Sequence, residues 1–145
     1  MKLRIAWIGK TKDAAIQSLT GEYLKRLTRY IPTESVELTS EDALVNQLEK
    51  SKFPQTLVLL DSRGKQLSSE QFADFICDHQ DRGTQTLLFA IGGSDGFSDQ
   101  TRTRASFQLS LGKMTLPHEL ARVVLLEQLY RAFTILKGHP YHLGH

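Results

Sequence analysis

Two short runs limit what this chain can become: Thr56 to Leu60 (TLVLL) and Gln85 to Ile91 (QTLLFAI). Each is apolar at consecutive rather than alternate positions, so each reads as a strand covered on both faces. Stretches of helical spacing surround them. Asp13 to Tyr30 carries Ile16, Leu19, Tyr23, Leu24 and Leu27, with Pro32 to end it. Ser40-Glu-Asp caps a helix running to about Lys52, and Ser68 opens another through Phe72, Phe75 and Ile76, closed by Gly83. Lys2 to Gly9, Ser35 to Thr39 and Ser106 to Leu111 read as further strands, Ser98 to Ala105 as a short helix, and Asp61 to Lys65 as a turn. Strands alternating with helices predict an α/β fold: a mainly parallel sheet with helices on both faces, in one domain over residues 1–145. In such sheets the ligand site lies beyond the carboxyl ends of the strands. Here those ends are Leu60-Asp61, Gly92 to Gly96 and Leu111 to Leu116.

The last quarter is the second constraint. Thr115 is a candidate N-cap, Pro117 suits a first turn and Glu119 suits the positive end of the helix dipole. Lys137, Gly138 and Pro140 mark the stop. Between them the apolar residues from Leu120 to Leu136 are too many for one stripe. Such a helix packs on the core and on something else, and a second copy of the chain is the natural candidate. Arg122, Glu127 and Arg131 interrupt that surface. Glu127 and Arg131 have ion-pair spacing. Arg122 stands off that row and is freer to point at a ligand, where a planar guanidinium suits phosphate, carboxylate or a polarised carbonyl.

Charge narrows the partners. Residues 1–30 hold seven Lys/Arg against two acids, 31–82 five against ten, and 83–145 six against four. Lys2, Arg4, Lys10, Lys12, Lys25, Arg26 and Arg29 therefore form either a basic patch for nucleic acid or a solvated face. No apolar run approaches 18 residues and no secretory leader is apparent, so a membrane partner is not expected. The lone Cys77 excludes an internal disulfide and fits a reducing cytoplasm.

Gly92-Gly-Ser-Asp-Gly96 follows a strand and precedes a helix, suiting either close backbone approach to a ligand or a turn with positive φ. It matches neither a dinucleotide fingerprint nor a P-loop. His118, His139, His142 and His145 lack the thiolates or carboxylates of a metal cluster, so no metal is expected. Histidine as acid, base or substrate contact fits better.

Four segments in fixed order carry a more specific signal: Ile91 to Phe97 (IGGSDGF), Leu109 to His118 (LSLGKMTLPH), Arg122 to Phe133 (RVVLLEQLYRAF) and His139 to His142 (HPYH). Together they closely resemble the RlmH family, bacterial methyltransferases acting at N3 of a pseudouridine in large-subunit (23S) ribosomal RNA. The resemblance runs from Lys2 to the tail and implies a SPOUT-class α/β fold, a C-terminal trefoil knot and a homodimer. Patterning alone predicts no knot, because threaded chains are rare. The implied cofactor is S-adenosylmethionine, held by Leu60, Gly92, Leu111, Gly112, Lys113, Met114, Thr115 and Leu116. Arg122, Tyr141 and His142 are the implied catalytic candidates. Arg122 would stabilise charge on the carbonyls flanking N3, and the tail residues would position the base or assist proton loss. His118 and Glu127 would shape the site. The implied partner is 23S ribosomal RNA in the assembled ribosome, in the cytoplasm. The chain departs from the family ending by continuing through Leu143-Gly144-His145. A silent docking module would keep the basic patch without the cofactor loops, and a flavodoxin-like nucleotide binder would need more than Gly9-Lys-Thr-Lys12 after its first strand.

Overall fold

The computed structural model describes residues 1–143; Gly144 and His145, the end of the extended tail, lie outside the described residues. The elements are β1 (Lys2–Ile8), α1 (Ala14–Thr28), β2 (Thr33–Leu38), α2 (Glu41–Lys50), β3 (Gln55–Gln66) and α3 (Ser69–Asp81). They are followed by β4 (Thr86–Ile91), α4 (Asp99–Arg104), β5 (Phe107–Ser110), α5 (His118–Leu136) and a 3-10 turn at Pro140–His142.

The five strands form one sheet in the order β2-β1-β4-β3-β5, and every pairing is parallel. The apolar run of β4 sits at its centre, where Leu87 and Phe89 feed one core and Leu88 and Ala90 the other. Helices α1, α3 and α5 cover the first face through Leu27, Phe72, Ile76, Leu125, Leu126, Leu129 and Phe133. Leu44 of α2 and Phe97, ahead of α4, cover the second. Helix α5 lies between α1 and α3, which accounts for its wide apolar surface.

Local signals set most boundaries. Asp13 caps α1 through the amides of Ala15 and Ile16, Ser40 caps α2, and Ser68 closes a reciprocal capping box with Gln71. Gly138 takes the left-handed conformation expected beyond α5 (φ 70°).

Two expectations are corrected. Asp61 to Lys65 is not a free turn: β3 continues to Gln66, and Leu109 of β5 pairs with both Leu60 and Lys65 across a bulge. Gly64 lies so close to β5 that a Cβ there would fall 2.6 Å from the Gln108 carbonyl oxygen. Thr115 does not cap α5, whose first residue is His118 and whose cap position is Pro117, with extended backbone (φ −54°, ψ 142°). Proline disfavours helical geometry in the residue before it, so Leu116 cannot serve as a first helical residue.

Candidate functional site

The carboxyl ends of β3, β4 and β5 open onto one pocket of about 300 Å³. This is the low end of the range for ligand sites. Leu60, Gly92, Leu111, Gly112, Met114, Thr115 and Leu116 all line it, so residues from three separate strand-end loops converge. Lys113 belongs to the same loop but is exposed and does not line the pocket.

Each loop has a local cause. Gly92 starts a turn that closes so tightly that a Cβ would meet the Gly96 backbone at 3.1 Å, and Gly96 takes positive φ (71°). Ser110 holds the next loop: its hydroxyl donates to the Gly112 carbonyl (2.9 Å) and accepts the Gly112 amide (3.2 Å). Among the described residues, the amides from Lys113 to Leu116 bond to no backbone carbonyl. Leu60, Leu111 and Leu116 give apolar walls, and Met114 stands 85% exposed at the rim.

Sequence reasoning missed the charged side of this pocket. The Asp61 carboxylate, 6% exposed, accepts from Arg102 Nε at 2.6 Å and from the Arg63 amide at 2.8 Å. Arg102 also reaches Asp99 at 2.7 Å, tying the first turn of α4 to the end of β3. Asp61 directly follows the apolar run of β3, which was a readable signal; Arg102 lies 41 residues away and had none.

Arg122 takes a course different from the one expected. It is fully buried, and its guanidinium faces the β1–α1 loop rather than the pocket. Nη1 donates to Thr11 Oγ1 (2.7 Å), Nη2 to the carbonyls of Ile8 (3.1 Å) and Gly9 (3.3 Å), and the group lies 5.4 Å from the Trp7 ring. Burial pulls its pKa below the usual guanidinium value, although a buried arginine still carries its charge. Beside it, Glu119 accepts the amides of Asp13 (3.2 Å) and Lys12 (2.9 Å), which hold its carboxyl below the ordinary range. His118, the preceding residue, lines the pocket.

The tail lies elsewhere. Tyr141 packs edge-on against Tyr130 (4.7 Å), under Arg131, and its hydroxyl donates to Glu127 (3.3 Å) and meets that of Tyr23 (3.5 Å). Burial, then Tyr23 and Glu127, push its pKa well above the usual phenol value. Glu127 and Arg131 form the expected ion pair. His142 Nδ1 faces the His139 carbonyl (3.2 Å), and His139 itself meets the Tyr30 hydroxyl. Glu127 is nine residues after His118, so Tyr141 sits roughly 14 Å along α5 from the pocket wall. One chain therefore brings the residues expected to hold the cofactor, Lys113 apart, to one pocket but leaves Arg122, Tyr141 and His142 outside it. No group of three or more potential metal ligands comes together among the described residues.

This sheet and its strand-end pocket define an α/β fold shared with solved methyltransferase structures. The SpoU methyltransferase AviRb from Streptomyces viridochromogenes, solved with AdoMet, matches at TM-score 0.55 and 18% identity, over 90% of this chain and 57% of that one. A probable methylase family protein from Haemophilus influenzae matches at TM-score 0.61 and 10% identity, over 97% and 70%. Residues 1–142 match the family described as "Predicted SPOUT methyltransferase", and the chain belongs to it. Its relatives are more particular. Ribosomal RNA large subunit methyltransferase H of Koribacter versatilis is 61% identical over the whole of both chains. The protein of the same name from Trichlorobacter lovleyi is 49% identical over 98% of this chain and 99% of its own.

Proposed function

We propose that this chain is a ribosomal RNA methyltransferase that uses S-adenosylmethionine to methylate N3 of a pseudouridine in helix 69 of 23S ribosomal RNA. The observation that carries this reading is the convergence of Leu60, Gly92 and the Leu111–Leu116 loop on one pocket. Those residues fit the cofactor. Leu60, Leu111 and Leu116 offer apolar walls to an adenine, and the backbone amides after Gly112 offer donors to its ring nitrogens. Bound there, the sulfonium would supply an electrophilic methyl, so the chain needs neither a nucleophilic side chain nor a metal.

What the protein must manage is the imide proton. Loss of the N3 proton leaves a negative charge shared with the flanking carbonyls, and that charge is consumed as the N3–methyl bond forms and the S–methyl bond of the sulfonium breaks to leave a neutral thioether. Tyr141 and His142 are the candidates to orient the base or relay that proton. Arg122, whose two Nη groups are taken by Thr11 and two carbonyls, acts in this reading as a positioning residue beneath the site rather than a substrate contact.

The distance between tail and pocket favours a homodimer in which one chain's tail serves its partner's pocket. The outer surface of α1 and α5 supports it: Leu19 is 45% and Leu120 39% exposed, beside half-buried Tyr23 and Tyr130. A C-terminal trefoil knot belongs to the same reading, and the close apposition of Gly64 to the Gln108 and Leu109 backbone supports it. The small net charge of +2 fits recognition of the assembled ribosome in the cytoplasm better than strong binding to free RNA.

The test is transfer of labelled methyl to ribosomes that contain or lack pseudouridine in helix 69. Incorporation that requires pseudouridine is expected. No transfer to either would overturn the substrate, and equal transfer to ribosomes and isolated ribosomal RNA would overturn the particle preference.

A further inference from the structure

The chain buries a cation that forms no ion pair among the described residues, and what it holds is one loop. Residues 9–13 join β1 to α1 at the carboxyl edge of the sheet, the same edge as the pocket. Most of this loop's backbone polar groups are occupied. The Gly9 amide donates to the Leu38 carbonyl (2.8 Å), the Thr11 amide to Glu37 (3.3 Å), and the Thr11 carbonyl accepts from Gln17 (3.0 Å). Arg122 takes the Gly9 carbonyl and the Thr11 hydroxyl, and Glu119 takes the Lys12 and Asp13 amides. Thr11 is buried, while Lys10 and Lys12 on either side of it are exposed.

The acids around this loop hold other partners, Glu37 among them, on the Thr11 amide and the Trp7 ring nitrogen. Asp13 accepts the amides of Ala15 and Ile16, and Glu119 is engaged by the loop backbone. Neither Lys10 nor Lys12 forms an ion pair among the described residues, in contrast to Lys2 and Arg4, both on Glu34, and Arg26, on Glu22. The basic N-terminal region is thus not one patch. Lys2 and Arg4 are neutralised at the opposite edge of the sheet, and Lys10 and Lys12 project from a fixed backbone beside His118, which lines the pocket.

We infer that Lys10 and Lys12, held out by the Arg122- and Glu119-anchored β1–α1 loop, contact phosphates of the substrate RNA next to the methylation pocket. A fixed loop suits this role, because two ammonium groups on an ordered backbone lose less freedom on binding than two on a mobile one. The inference deepens the proposed function and rests on its assignment of an RNA substrate.

The test measures ribosome binding across a series of monovalent salt concentrations for the wild type, for Lys10→Ala/Lys12→Ala, and for Lys50→Ala/Lys52→Ala. The last pair is exposed at the opposite edge of the sheet. Removing one lysine–phosphate contact lowers the slope of log K against log salt by roughly 0.7–0.9. The loop variant is expected to lower the slope by about 1.5, a change on the order of tenfold or more in affinity at low salt. It should keep the wild-type dissociation constant for S-adenosylmethionine, and the Lys50/Lys52 variant should keep the wild-type slope. An unchanged slope in the loop variant, or an equal decrease in both, overturns the inference. Wild-type binding without methyl transfer would instead overturn the proposed reaction while leaving the loop measurement valid.

Discussion

Arg122 carries a full charge into a site where its acceptors are a hydroxyl and two carbonyls. Removing it leaves those groups buried without their donor and opens a cavity under the loop. Arg122→Ala should therefore lose about 3 kcal/mol in a urea titration. It should bind S-adenosylmethionine as the wild type does, because its guanidinium faces away from that pocket, and turn over ribosomes poorly because the loop loses its anchor. Loss of cofactor binding in a folded variant would put the guanidinium in the donor pocket after all. The tail predicts a different signature: His142→Ala should keep stability and cofactor affinity and lower kcat by on the order of 100-fold, as expected for loss of a group assisting proton transfer. At this scale the sequence was informative about identity and silent about direction. The spacing from Glu127 correctly set Arg122 off the ion-pair row, but a fully buried course toward Thr11 depends on a contact 111 residues away.

At the scale of elements, glycine separates two kinds of backbone. Gly21, in the middle of α1, has open space where a Cβ would go, so Gly21→Ala should raise stability by about 0.5–1 kcal/mol through helix propensity alone. Gly64, in the bulged part of β3, would drive a Cβ into the Gln108 and Leu109 backbone, and Gly64→Ala should lose about 2 kcal/mol or more. Chemical denaturation of the two variants side by side checks both signs. The end of α3 predicts a pH dependence. His79, 6% exposed, has Nδ1 2.9 Å from the Thr84 hydroxyl and accepts from Arg82 through Nε2 at 3.2 Å, so its ring is held neutral. Burial, then the Arg82 charge, lowers its pKa below the ordinary 6.5. The unfolded chain therefore takes up a proton first as pH falls, and stability should decline below about pH 6.5 until the folded pKa is reached. His79→Gln should flatten that decline. The legible elements were those with local causes: continuous apolar runs for β3 and β4, helical spacing for α1, and capping residues for α2 and α3. The extension of β3 past Asp61 was not legible, because polar residues resembling a turn pair with a strand more than 40 positions later.

For the whole molecule, the convergence of three loops on one pocket was readable in advance because parallel sheets place ligands at strand ends, and the family resemblance fell on the same three loops. The separation of tail from pocket was not readable, since it depends on how the 3-10 turn folds back along α5 to Tyr23 and Glu127. That separation makes the dimer the claim on which the rest depends. The most direct measurement is activity in coexpressed mixtures of two inactive chains: one with its pocket blocked by Gly92→Trp, the other with Tyr141→Phe and His142→Ala in its tail. If each site combines one chain's pocket with its partner's tail, random pairing restores roughly a quarter of wild-type methyl transfer to ribosomes, since half the dimers are mixed and each has one intact site. If the mixture stays as inactive as either variant alone, although mixed dimers form, the site lies within a single chain and the shared arrangement is wrong.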